Sequence, residues 1–122
     1  MIKPLGKNTK DIYDFNASSW VRNHPNSLSD FTGRPKIIDL CGDIKNLKVL
    51  DLGCGEGYGA RALINRGAAL VEGIDISQKM INLAREKEKD KLSKINYQVC
   101  DIKKLPFNSE TFDLVIGIFV FN

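Results

Sequence analysis

Asp51, Asp75 and Asp101 each stand where an apolar run gives way to polar residues, and the first abuts a glycine-rich loop, Gly53-Cys54-Gly55-Glu56-Gly57-Tyr58-Gly59. Glycine has no Cβ, so such a loop lets a ligand lie against the peptide plane. The helix pattern that follows, Ala60-Arg61-Ala62-Leu63-Ile64, would present free N–H groups at its start. A carboxylate accepts two hydrogen bonds from a vicinal diol, which suits Asp75 to ribose hydroxyls. A carboxylate beside the loop, Asp51, repels a pyrophosphate and attracts an ammonium or sulfonium group. The trio therefore points to a neutral-to-cationic nucleoside rather than a polyphosphate. A single Asp in such a place is also what strand ends and helix caps ordinarily carry. Three in successive strands, one of them against the loop, favour a ligand.

Two competing loop chemistries are weighed on the same residues. No Gly-Lys-Ser/Thr follows the glycines, which excludes a P-loop. Gly55 to Ala60 does match the dinucleotide fingerprint G-x-G-x-x-A, with Asp75 at a plausible distance. A pyrophosphate there would face Asp51 and Glu56 with no compensating basic residue, so an NAD-dependent oxidoreductase is the disfavoured reading.

The elements that must position these residues follow from periodicity. Asp11 to Trp20 reads as a short helix, Asn23 to Ser27 as a loop, and Arg34-Pro35 as the opening of a second helix stopped by Gly42. Strands are expected over Lys48–Leu52, Leu70–Ile76, Ile95–Cys100 and Phe112–Phe121. A helix follows the glycine loop and ends at Gly67. Another, capped by Ser77, turns Met80, Ile81 and Ala84 inward. Its charged end, Arg85 to Lys91, reads as a solvated face. Asp101 to Glu110 is a loop. This alternation predicts an α/β fold with a parallel sheet and right-handed crossovers.

Bulk properties narrow the classes. The chain has 122 residues and a net charge of +3 from 18 basic and 15 acidic side chains. That length suits one domain, and that balance is too mild to argue for nucleic acid. Three cysteines without a Cys-x-x-Cys give neither a disulfide framework nor a zinc site. No signal-peptide-like or membrane-spanning run is present, so a cytoplasmic protein without membrane partners is expected.

Val49 to Gly57 resembles the first motif of class I S-adenosylmethionine-dependent methyltransferases. Glu72 to Ser77 resembles that family's second-strand end, Cys100 to Phe107 its third-strand motif and Phe112 to Ile116 its fourth strand. Ile12 to Ala17 is similar to the helix that lids the cofactor in many members. The likeness runs in order over residues 11 to 122. It implies a Rossmann-like three-layer αβα sandwich with strand order 3-2-1-4. It also implies a helical lid over 1–45, a cofactor-binding core over 46–122, and S-adenosylmethionine as cofactor with S-adenosylhomocysteine as product. Asp51 and the backbone at Gly53 and Gly55 would hold the methionine end. Asp75 would take the ribose hydroxyls, with Ile76 against the adenine. Asp101 would accept from the adenine amino group and the Ile102 N–H would reach a ring nitrogen. Gly117 would lie near the methionine portion, and Tyr13 is either a lid contact or an ordinary packing residue.

No catalytic base is identified. His24, the one histidine, reads as a solvent-exposed spectator. Trp20 would anchor its helix or line an acceptor pocket, and Asn122 would lie near the transferred methyl. Family members usually continue with strands 5 to 7, so the chain looks truncated, with an exposed fourth-strand edge through which it would form a homodimer. The leading expectation is a methyltransferase acting on a small molecule. An inactive cofactor-binding fragment or assembly module is the alternative.

Overall fold

The structure, a computed structural model, describes residues 8–20, 28–118 and 120. Among these, α1 (Thr9–Asn16) is capped by Asn8, whose side chain accepts from the Asp11 N–H. It runs into a 3-10 helix, Ala17–Trp20, so the single helix expected over 11–20 is an α-helix that tightens in its last turn. A short α2 (Leu28–Phe31), not expected from the sequence, precedes α3 (Gly33–Leu40). The remaining elements are β1 (Lys48–Leu52), α4 (Tyr58–Asn65), β2 (Leu70–Asp75), α5 (Gln78–Glu88), β3 (Ile95–Val99) and β4 (Leu114–Gly117). The loop expected over 23–27, with His24, lies outside the described residues, as does Asn122.

The four strands form one parallel sheet in the order β3-β2-β1-β4, as expected. Val49 is paired with Val71 on one side and Leu114 on the other, and Val71 with Ile95. This register puts Val49, Val71, Tyr97 and Ile116 into one buried cluster with Ile38 of α3, Ala60 and Leu63 of α4, and Ile81 and Ala84 of α5. On the opposite face Leu50, Leu52 and Ile74 are covered by Cys100, Ile102, Phe107 and Phe112. The segment between β3 and β4 therefore packs onto the sheet, with Phe107 and Phe112 in edge-to-face contact at 5.0 Å between centroids.

β4 is shorter than the apolar run from 112 to 121 predicts. Its ladder is made with Val49–Leu52, and β1 ends where Gly53 turns the chain, so among the described residues the pairing stops at Gly117. It is also the edge of the described sheet, and Val115 is 52% exposed rather than covered on both faces. No helix among the described residues is long and apolar enough to cross a membrane.

Candidate functional site

β1 and β2 deliver Asp51 and Asp75 to the same end of the sheet, on either side of the glycine loop. Asp51 is 4% exposed and Asp75 8%. Both oxygens of Asp75 receive backbone donors: Gly55 N–H to Oδ2 and Ser77 N–H to Oδ1, each at 2.9 Å. The loop is tied down again by the Cys54 N–H, which donates to Ile74 O at 2.9 Å. Ser77 is the expected cap of α5: its hydroxyl accepts from the Met80 N–H at 3.2 Å.

Burial pushes the Asp51 carboxyl up to about 7, the neighbouring Asp75 charge adds to this, and Arg34 of α3 opposes it. Asp75 is raised as well, chiefly by burial, against the Ser77 and Gly55 N–H bonds that favour its charged form. The Cys54 thiol between them is pushed up by burial and then by both carboxylates. Asp51 and Asp75 are thus neighbouring buried carboxyls whose ionised forms are disfavoured, and a cation placed beside them would favour ionisation.

The loop's shape requires glycine at two points. Gly57 has φ +90°, and a Cβ there would collide with the Tyr97 hydroxyl. Gly53 has φ +67°, and a Cβ there would meet the Val120 side chain at 2.5 Å. Gly59 stands close to the acid: a Cβ on it would lie 3.5 Å from Asp51 Oδ2.

Glu56 does not face the ligand side, contrary to the argument made from sequence against a pyrophosphate. Its side chain is 1% exposed and pairs with Arg61 Nη2 at 2.8 Å and Lys87 Nζ at 3.0 Å. Arg61 Nη1 also donates to Glu56 O at 2.8 Å. This clamps the loop to α4 and α5. It also corrects the reading of Arg85 to Lys91 as wholly solvated, because Lys87 and Glu88 turn inward, with side chains 18% and 10% exposed. Arg34 likewise supplies the basic charge near Asp51 that sequence reasoning found missing. Its only sequence signal was its place beside Pro35.

The other expected residues fall around this centre. Ile76 is half-buried directly after Asp75. The Cys100 N–H donates to Asp75 O at 2.9 Å, which brings Asp101 and Ile102 to the β2 end. Asp101 closes a local turn, accepting from the Lys103 N–H at 2.9 Å, and the Ile102 side chain packs onto the far-face core. Gly117 is paired with Leu52, next to Gly53. The contact with Gly53 itself is made by Val120, which sequence reasoning did not single out. Tyr13 is half-buried on α1.

Residues 49–122 match the family model described as "Methyltransferase domain". The chain is 33% identical over 124 aligned residues to an uncharacterized protein of Haemophilus influenzae, covering 94% of this chain and 48% of that one. It is 37% identical over 82 residues to a ubiquinone biosynthesis O-methyltransferase of Coxiella burnetii, covering 67% of this chain and 35% of that one. Among solved structures, an S-adenosylmethionine-dependent methyltransferase of Mesorhizobium loti superposes with a TM-score of 0.61 at 32% identity, over 68% of this chain and 37% of that one. The chain spans less than half the length of these relatives.

Proposed function

This chain belongs to the methyltransferase-domain family, and from that premise we propose that it holds S-adenosylmethionine at the Asp51–Asp75 recess and directs its methyl group to a small-molecule acceptor. The observation that carries the reading is the pairing of two buried carboxylates, Asp51 and Asp75, beside a loop bent by glycines.

The residues fit the group. Asp75 accepts from the Gly55 N–H on one oxygen and the Ser77 N–H on the other, with a further contribution from the Ile76 N–H, and its remaining acceptor capacity would serve ribose hydroxyls. Asp51, destabilised as an anion by burial and by Asp75, gains from an ammonium or sulfonium nearby. The exposed backbone of Gly53 and the half-buried Gly55 would hold the methionine end with Asp51. Ile76 would lie against the adenine, Asp101 would accept from its amino group, and the Ile102 N–H would reach a ring nitrogen. Gly117 would border the methionine portion and Tyr13 would close over it from α1.

The cofactor, when bound, supplies a methyl already activated on sulfur. The chain's own contribution is to align that methyl with the acceptor and to keep water out. The acceptor is proposed to be a small hydroxylated aromatic, on the strength of the O-methyltransferases among the relatives.

The test is transfer of labelled methyl from S-adenosylmethionine to a panel of catechols and phenols. Label in an extracted aromatic product supports the proposal. Label only in protein or nucleic acid contradicts the acceptor class, and tight cofactor binding without transfer favours the non-catalytic alternative.

A further inference from the structure

We propose that Asp14 is a positioning residue that couples the docking of α1 to the orientation of Asp75. Asp14 sits on α1, more than sixty positions from the β2 end, yet its Oδ1 accepts from the Ser77 hydroxyl and, at 3.3 Å, from the Lys79 N–H. Its Oδ2 is held by Lys10 Nζ at 2.8 Å. Ser77 in turn donates its N–H to Asp75 Oδ1 at 2.9 Å. A continuous relay thus runs from α1 through Ser77 to Asp75 and, from its other oxygen, to Gly55.

The charges along this relay are consistent with a fixed, ionised Asp14. Burial alone would raise its pKa, but Lys10, the Ser77 hydroxyl and the Lys79 N–H together hold it below the usual carboxylate range. Asp14 supplies what the start of α5 lacks: Ser77 Oγ serves the Met80 N–H, and Asp14 serves the Lys79 N–H. Ser77 is fully buried, so its hydroxyl proton has little choice of acceptor once α1 is docked. With α1 docked, the turn after β2 is held at three points, and Asp75 is presented with its remaining lone pairs fixed. Without Asp14 the Ser77 hydroxyl is left to find another acceptor, and the turn loses its outer anchor.

The proposal rests on Asp75 being the ribose-binding group. The experiment is calorimetric titration of the chain with S-adenosylhomocysteine and with its 2′,3′-dideoxy analogue, on wild type, Asp14→Ala, Asp14→Asn and Asp75→Ala. Asp14→Ala is expected to weaken the parent ligand about five- to tenfold, the scale of one net hydrogen bond. It should leave the dideoxy analogue unchanged, because that ligand has no diol for Asp75 to hold. Asp14→Asn keeps an oxygen facing Ser77 and Lys79 and is expected to restore most of the affinity. Should Asp14→Ala not fold, the same ratio of the two ligands is read on Ser77→Ala. Equal losses on both ligands, or none on either, overturn the coupling while leaving Asp75 intact. Failure of Asp75→Ala to distinguish the two ligands overturns the reading of Asp75 itself, and the coupling with it.

Discussion

Gly55 donates its N–H to Asp75 Oδ2 at 2.9 Å, so the glycine loop after β1 and the acid that ends β2 form one rigid unit across two strands. That bond explains why the acid can stay buried: its two oxygens are partly solvated by backbone N–H groups rather than by water. Asp51, one strand away, bears the cost of burial itself, which the Asp75 charge increases and Arg34 opposes.

Asp51 makes stability and binding respond oppositely to pH. Its folded-state value, about 7, lies above that of an exposed aspartate, because of burial first and Asp75 second, with Arg34 opposing. Between pH 4 and 7 the folded state then binds more protons than the unfolded one. Stability of the cofactor-free protein is therefore expected to fall as pH rises through that window, by on the order of 1 kcal/mol per unit, and to level off above it. The raised Asp75 acts with the same sign. Affinity for cationic S-adenosylmethionine should rise over the same range as Asp51 ionises. Denaturant unfolding and titration at several pH values read both trends, and Asp51→Asn should flatten them.

Gly57→Ala should destabilise the fold by about 2–4 kcal/mol, combining an unfavourable left-handed backbone with a collision against the Tyr97 hydroxyl. That hydroxyl is buried with no hydrogen-bond partner among the described residues. Tyr97→Phe is accordingly expected to be neutral or mildly stabilising, and to recover part of the loss in the double variant. Thermal unfolding of the three variants measures this directly.

Glu56→Ala strips the buried partner from Arg61 and Lys87 at once. A loss of ~3 kcal/mol is expected, because the buried carboxylate that both cations share is removed. Cofactor affinity should also drop as the loop loosens. A surface pair such as Lys89–Glu86 serves as the control and should change stability by less than about 0.5 kcal/mol when broken.

Much of the fold is legible in the sequence itself. The bounds of β1, the Ser77 cap and the stops at Gly42 and Gly67 depend on neighbouring residues only, and local propensity suffices for them. That Asp51 and Asp75 would lie together beside the glycines was legible because strand ends in a parallel sheet converge. Glu56 was misread because its partner Lys87 belongs to a different helix, and only packing reveals which way a loop carboxylate turns. The Arg34 charge near Asp51 and the Asp14–Ser77 contact were not legible for the same reason: each is made across a tertiary contact. The shortness of β4 was hidden in an apolar run that continues after its pairing partner has turned away at Gly53.

The most direct measurement of the central claim is calorimetric titration of the chain with S-adenosylmethionine, on wild type and on Asp75→Ala shown by circular dichroism to be folded. Micromolar binding by wild type, lost in the variant, is the predicted result. Absence of binding by folded wild type, or equal affinity in both proteins, would contradict the assignment of the Asp51–Asp75 recess as the cofactor site.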